Sequence, residues 1–544
     1  MRNSENSRTF VAMGALLVAA AMAAVACSKG DTVNNGTTDA GPQVTTCGSL
    51  SPQQAAQIAT GQLEHLGTVG LAALAGLENS RAAARLISFG DTTIVDPFVS
   101  DNQSNLHDSL VKLRDEQLVA ANIEMSTASS VTFLLGPQTL CGTTTSTPVV
   151  PAGIGGAAGT GGQAATGGTT AASLDPACVS EKTAHPMRIR ISRIACDQGD
   201  NVAIELLIGT ASERVLVAEL YADHANVQLD IGAFLRESYS SIYTYVQQPN
   251  GTYVTQRTEK PAVTSATGVL LGSLTLTAST QAKAAVSVTQ PIDITFADDS
   301  AARLRIAACT GGLTVDGNGD AKTIKVTVNA GAFDWRAKFN YFISDFFGLQ
   351  TTASASTADP VDIHVPGLQG NLDLDGTQDT ITATGLNLGG ADVMAKQGSN
   401  TLLSFGALSA SQGAIAATLT GNVNNNLGVT LPQGLSVDIH YGLQPVLSLV
   451  QNPENFLAGD TMTVSASASS SLTLFNEAAT NQLTVTSSPT GPLLRVDAGT
   501  LGISSAKWPS DSVTVPTPQC LSRTVTALTG HNDLLDDFSI GACP

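Results

Sequence analysis

Two hydrophobic periods divide the chain. From Met187 onward apolar residues recur at every second position, as in Ile189/Ile191, Val202/Ile204/Leu206/Ile208, Val215/Val217 and Val227/Leu229/Ile231. Polar or small residues fill the alternate positions, so each run reads as a strand with one face buried. Further runs follow at Gly272–Thr277, Ala284–Thr289, Ile292–Phe296, Leu304–Ala308 and Thr323–Val328. The habit continues at Asn371–Asp375, Thr380–Leu388, Ala414–Leu419, Leu435–His440, Thr461–Ala466, Ser471–Phe475, Gln482–Thr486 and Leu493–Val496. Gly, Asn and Pro separate the runs, and the lack of a fixed repeat length argues against a solenoid or propeller. Pro249-Asn250-Gly251 marks a tight turn, but Leu235, Tyr239, Ile242 and Val246 also fit a helix, so the first arm of that hairpin has two readings.

Upstream the period is helical. Ser51-Pro52 supplies a capping hydroxyl followed by proline at the first helical position, and Ala55, Ile58, Ala59, Leu63, Leu66 and Val69 then recur on one face. A second helix is expected from about Asn105 to Ile123, with Leu106, Leu110, Leu113 and Ala120 on one side, and the Ala/Leu-rich stretch Leu71–Ile87 reads as helical too. The fold class expected is mainly β: a large antiparallel body, as a sandwich or one long curved sheet, with a small α-helical N-terminal part. By residue number, 51–140 is the helical region, 141–180 a Gly/Thr-rich loop or linker, and 181–350 and 351–544 are β-rich.

The first residues obey neither period. Arg2 and Arg8 precede the uninterrupted apolar run of Phe10–Ser28, the order of a secretory signal occupying residues 1–26, with a polar, flexible tether over 27–50. Ala24-Val25-Ala26-Cys27 resembles the lipobox of bacterial lipoproteins. The resemblance implies cleavage before Cys27, acylation of that cysteine, and a membrane partner held through N-terminal acyl chains. At about 0.8 kcal/mol per buried methylene, two or more chains give lasting anchorage. Ser28 at the following position, by the same analogy, favours the outer membrane of the cell envelope. Secretion without acylation is the plainer reading of the same alanines, and an uncleaved helix is disfavoured because the run falls short of the ~20 residues of a span.

Composition narrows the function. A formal charge of −19 repels phosphate backbones, so no nucleic acid is expected. Charged residues make up only 13% of the chain, the polar-neutral surface of many exported β proteins. Besides Cys27, cysteines stand at 47, 141, 178, 196, 309, 520 and 543, so at least one is left unpaired within a monomer. Cys520 with Cys543, which would pin the C-terminal end, is the first pair expected, and Cys178 with Cys196 the second. Gly159-Thr160-Gly161-Gly162-Gln163-Ala164 fits a loose dinucleotide-loop pattern, but no strand precedes it and no helix follows, so the Gly-rich segment reads as a linker.

Phe333–Phe347 gathers seven rings in a chain with only 4% aromatics. Phe333, Trp335, Phe339 and Tyr341 alternate with polar residues, so a strand here carries a row of rings on one face. The row is either the heaviest core strand or the wall of an apolar cleft for a lipid or partner. The scarcity of rings elsewhere disfavours a membrane-spanning barrel, which needs aromatic girdles.

Asn371, Asp373, Asp375 and Asp379 space their oxygens as the start of a calcium loop does, but Thr382 stands where the bidentate acid belongs. A hairpin with an Asp-Gly turn between Leu372/Leu374 and Ile381/Ala383 accounts for the same residues, and no cofactor is otherwise expected. Asp316–Asp320 matches the calcium pattern less well. No GxSxG, HExxH or phosphate loop occurs, and the seven histidines are scattered. These features favour an exported, lipid-anchored protein that binds an apolar ligand or an envelope protein. An envelope hydrolase with a site assembled from distant residues, and a structural or adhesive surface protein, are the alternatives.

Overall fold

In the computed structural model the structure describes residues 49–83, 98–118, 121–136, 143–144, 173–174, 176–194, 200–238, 242–247, 253–258, 263–296, 303–337, 360–388, 393–406, 414–421, 426–431, 435–440, 461–466, 471–477, 482–488, 491–497, 513–515, 519–524 and 539–543. The protein is mainly β, with its strands joined in one large antiparallel sheet and a few helices laid against it.

Helix α1 (Pro52–Ala73) begins as its sequence dictates: Ser51 Oγ accepts from Gln54 N at 3.2 Å and Gln54 Oε1 accepts from Ser51 N at 3.1 Å. Ala55, Ala56 and Ala59 are buried, and their small side chains let the helix lie close to the strands beneath. The Leu71–Ile87 helix expected from the sequence is instead broken: a 3-10 turn spans Ala75–Leu77, Asn79 adopts φ 60°, and a new helical turn starts at Arg81. Helix α2 (Phe98–Lys112) starts earlier than its periodicity suggests and passes into a π-helical turn, Leu113–Leu118, that buries Leu113, Gln117 and Leu118. It does not reach Ile123, because β1 (Asn122–Ser126) pairs with β2 (Ser130–Leu135) through a turn in which Thr127 N donates to Ser130 O.

Strands β3 (Thr143–Thr144) and β4 (Ser173–Leu174) form a short separate pair, followed by α3 (Pro176–Ala184). From β2 the sheet meanders through β5 (Met187–Arg193), β6 (Val202–Ile208), β7 (Glu213–Leu220) and β8 (His224–Asp230), the four strands read from the first period-two block. Val131, Phe133, Leu135, Ile189, Ile191, Val202 and Ile204 on these strands and Ala55, Leu66, Leu106 and Leu110 on α1 and α2 form one buried cluster. The two readings of the Leu235–Val246 stretch divide it: α4 (Ile231–Ser238) takes Leu235, and β9 (Ile242–Gln247) pairs with β10 (Tyr253–Thr258).

The architecture turns on the next two strands, β11 (Val263–Ala278) and β12 (Gln281–Phe296), each 16 residues long. Their ladder is bent at Gly268, where φ is 138° and a Cβ would lie 2.7 Å from Ile292 Cγ1, so only glycine fits. Beyond the bend the sheet forks. The first half of β12 (Gln281–Val288) pairs with β14 (Cys309–Asn318), and its second half (Ile292–Thr295) pairs with β13 (Arg303–Ile306).

Later strands are dealt alternately to the two arms. They are β15 (Thr323–Asn329), β16 (Phe333–Ala337), β17 (Val361–Val365), β18 (Leu368–Asp375), β19 (Thr380–Leu388), β20 (Val393–Gln397), β21 (Asn400–Phe405), β22 (Ile415–Thr420), β23 (Asn426–Thr430), β24 (Leu435–His440), β25 (Thr461–Ala466), β26 (Ser471–Glu477), β27 (Gln482–Ser488), β28 (Gly491–Asp497), β29 (Val513–Val515), β30 (Gln519–Thr524) and β31 (Ser539–Ala542). The first arm runs β14-β15-β18-β19-β22-β23-β24-β25-β30-β31 in hydrogen-bonded order. The second runs β13-β16-β17-β20-β21-β28-β27-β26-β29. Between them the chain crosses a crease of small residues: Ala307-Ala308, Ala330-Gly331-Ala332 and Pro366-Gly367.

Backbone bonds continue through the crease, Ala307 N donating to Ala332 O at 2.9 Å and Leu368 N to Ala330 O at 3.0 Å. A Cβ on Gly367 would sit 2.5 Å from Ala330 O, with no flexible side chain to give way. Gly367→Val is therefore expected to cost about 1–3 kcal/mol of stability, the usual penalty of overpacking. A urea midpoint equal to the parent's would show that the crease is looser than drawn here. At the far end Cys520 and Cys543 form the expected disulfide, which staples β30 to β31.

Candidate ligand groove

Both arms are two-faced, and cross-strand register carries the pattern from strand to strand. In the first arm Gly317, Ile324, Leu374, Ile381, Leu419 and Leu427 stand opposite one another in sequence, and Val315, Val326, Leu372, Ala383, Ala417 and Val429 form the next row. The opposite face is polar: Lys283, Asp316, Lys325 and Asp373 make a ladder of alternating charge, each residue exposed. In the second arm Ile294, Leu304, Trp335, Ile363, Ala395 and Leu403 align on one side. On the other, Arg303 pairs with Asp293, Arg336 with Asp362 at 2.6 Å, and His364 Nδ1 lies 2.6 Å from Asp334 Oδ1. The Arg303 hydrogen bonds hold the Asp293 carboxyl below the usual carboxylate range.

The apolar sides converge at the bend. Val286 and Val288 from the first half of β12, Ile292 and Ile294 from its second half, and Ile306 of β13 belong to a single buried cluster, capped by Ile231 and Leu235 of α4. Helix α4 fits there because Gly232 passes close to Ala266 O, and because Arg236 Nη2 reaches Glu213 Oε1 at 2.6 Å. The apolar faces of the two arms thus meet in one buried cluster.

A strap of residues 74–83 forms the rim of the first arm. Leu74, Leu77, Ala82 and Ala83 lie over Ile324, Leu374, Ile381 and Leu419, so the outermost apolar row is covered. The strap crosses successive hairpin tips backbone to backbone: a Cβ on Gly376 would meet Gly76 O at 2.6 Å. Asp379, at φ 54° in the β18–β19 turn, clamps it. Its Oδ1 accepts from Ser80 Oγ and from Ala82 N, both at 2.9 Å, and its main-chain oxygen accepts from Gly421 N at 3.0 Å. Beside it the second row, Val315, Val326, Leu372, Ala383, Ala417 and Val429, is half-buried, and Val315, Val326 and Leu372 pack against the strap cluster.

The residues singled out from the sequence fall as follows. Phe333 and Trp335 lie on β16, half-buried on its apolar side, with Phe333 opposite Ile306 and Val365 and Trp335 opposite Leu304 and Ile363. Phe333 packs against the cluster at the bend, so it serves as core. Phe339, Tyr341, Cys27 and Cys196 lie outside the described residues; Cys178 is in α3.

The four calcium-pattern residues form the hairpin, with Leu374 opposite Ile381 and Leu372 opposite Ala383. Asn371 and Asp373 stand on the outer face, Asp379 serves the strap, and Asp375 caps the turn. Thr377 Oγ1 at 2.6 Å, followed by the Gln378 and Thr377 amides, holds the Asp375 carboxyl below its usual range. Among the described residues no group of three or more His, Cys, Asp or Glu is placed to hold a metal.

A shallow depression lies beside α1, lined by Gln57, Gln62, His65 and Asp200. Gln62 Nε2 donates to the main-chain oxygen of Asp200 at 3.4 Å and His65 Nε2 lies 3.1 Å from Ala222 O across it, so it reads as a packing seam. Periodicity gave no sign of the strap or its clamp; the Asp-Gly turn in 375–379 was visible, but not what its last residue holds. No protein-family model, curated protein or solved structure matches the chain.

Proposed function

We propose that the protein is a lipid-anchored component of the bacterial cell envelope that binds an apolar ligand along the inner faces of its forked sheet. The observation that carries this reading is the apolar row from Val315 to Val429, which is only half-buried across six neighbouring strands. Burying such a strip under a ligand gains roughly 25 cal/mol per Å² of apolar area removed from water. The basic leader start, the apolar run and the Ala24–Cys27 lipobox support anchorage by acyl chains on Cys27, with Ser28 favouring the outer membrane.

Photo-crosslinking in the intact envelope tests the binding. With p-benzoylphenylalanine in place of Val326, on the apolar face of β15, a lipid-sized adduct is expected on the full chain. The same residue in place of Lys325, on the outer face of β15, is expected to give none. Equal adducts at both positions, or none at Val326, would refute the groove. Anchorage is tested separately: Cys27→Ala should move the protein from the membrane pellet to the soluble fraction, and a mutant that stays in the pellet rules the acyl anchor out.

A further inference from the structure

Resting on the anchorage at Cys27 proposed above, we infer that the β1–β2 hairpin, residues 122–129, lies in the anionic head-group layer of the membrane that holds the acyl chains. The first reason is its place in the chain. Residues 28–48 separate Cys27 from the first described residue, and these 21 residues span at most about 75 Å. The chain then joins the fold at this hairpin: Leu50 is buried, and its N donates to Ala128 O at 3.2 Å. The corner where the chain enters is therefore the corner held nearest the membrane.

The second reason is exposure. Every residue from Asn122 to Ser129 is exposed, and among the described residues β1 pairs with no strand but β2. Three large apolar side chains stand out from the described surface, Ile123 at 51%, Met125 at 52% and Leu271 at 41% exposure, and two of them share this one short strand. The bulge at Glu124 turns these two to opposite faces, Ile123 standing opposite the core residue Phe133 and Met125 opposite Thr132. Apolar side chains thus flank the end strand on both sides, which suits a fluid layer entered edge first. A partner strand fits less well, because the bulge breaks the ladder that an added strand would extend. The backbone sets the depth: an open sheet edge has no partners for its amides and carbonyls in hydrocarbon, whereas the head groups keep water within reach.

The third reason is charge. Strands β1, β2 and β5 hold three arginines, Arg188, Arg190 and Arg193, against the single acid Glu124, in a chain of net charge −19. Arg188 pairs with Glu124 at 2.6 Å, and Arg190 shares Glu205 with Arg214, so positive charge is in excess here. Arg193 is joined to the hairpin itself, its N donating to Ser129 O at 2.9 Å. Anionic head groups attract such a corner and repel a surface with the charge of the whole chain.

The test is photo-crosslinking of the full, lipidated chain in vesicles of phosphatidylcholine and phosphatidylglycerol in equal parts, with p-benzoylphenylalanine placed singly at Ile123, Met125 and Leu271. Leu271 is the control, exposed on β11 but six strands, roughly 29 Å, from β1. Phospholipid adducts are expected at Ile123 and Met125, with a yield about tenfold lower at Leu271. Equal yields at all three positions, or none at Ile123 and Met125, would overturn the inference, as would adducts of protein mass at Met125. In vesicles of phosphatidylcholine alone the two hairpin yields should fall about fivefold, the attraction of one arginine to an anionic surface. Undiminished yields there would also overturn it. Flotation of the vesicles reads anchorage separately. A chain that floats without adducts at the hairpin removes this inference alone, whereas one that does not float removes the Cys27 reading and the inference with it. Both hairpin probes replace exposed side chains, and protease resistance of each variant confirms its fold.

Discussion

Phe133→Ala is expected to lower the free energy of unfolding by about 3–5 kcal/mol, the range for removing a buried aromatic ring from a core that cannot close over the gap. Phe133 is only 2% exposed and stands between Ile123 of β1 and Ile189 of β5. It belongs to the cluster that α1, α2, β2 and strands β5 to β8 share, so several elements contribute atoms to its surroundings and none is free to collapse inward alone. Every later strand is templated, directly or through a neighbour, on the sheet this cluster supports. Urea titration of the parent and variant gives the comparison. A loss below about 1 kcal/mol would mean that the ring is not packed as described.

Asp379→Ala should be the second most damaging change. The carboxylate accepts two bonds that hold residues 80–83 over the first arm, and hydrogen bonds to charged groups contribute about 1.5–3 kcal/mol. Ser80 Oγ, which also accepts from Ala83 N at 3.1 Å, loses its acceptor at the same time. Alanine is also poorly suited to a φ of 54°, at a cost of roughly 1–2 kcal/mol, while asparagine tolerates that conformation and keeps an acceptor oxygen. The expected order of melting temperature is therefore parent, then Asp379→Asn close behind, then Asp379→Ala well below both. An alanine variant that melts with the parent would show that the strap is held by its apolar contacts alone.

What the sequence disclosed and what it hid have the same physical origin. Alternation in Ile189/Ile191 or Val202/Ile204 depends only on neighbours along the chain, so β5 and β6 were legible, and the Ser51-Pro52 cap was legible for the same reason. The crease was not, because a bend is a relation between strands. Its trace is a change of parity: Leu304 and Ile306 face inward at even positions, whereas Leu313 and Val315 do so at odd ones. Ile324 and Val326 give way to Phe333 and Trp335 in the same manner, and Val361 and Ile363 to Leu372 and Leu374. Each change falls at Ala307-Ala308, at Ala330-Gly331-Ala332 or at Pro366-Gly367, and read separately each looks like an ordinary loop. The aromatic run shows the same limit: periodicity placed Phe333 and Trp335 on one face, but only cross-strand partners reveal that this face turns toward the bend.

The alternate dealing of strands makes length a separable property of the molecule. Each strand added to an arm lengthens that arm by one strand spacing, about 4.8 Å, and leaves the crease unchanged. Losing or duplicating a hairpin would shorten or lengthen an arm by a fixed step while keeping its two-faced pattern. A sheet built in this way changes its reach by counting hairpins, without altering a single side chain of those that remain.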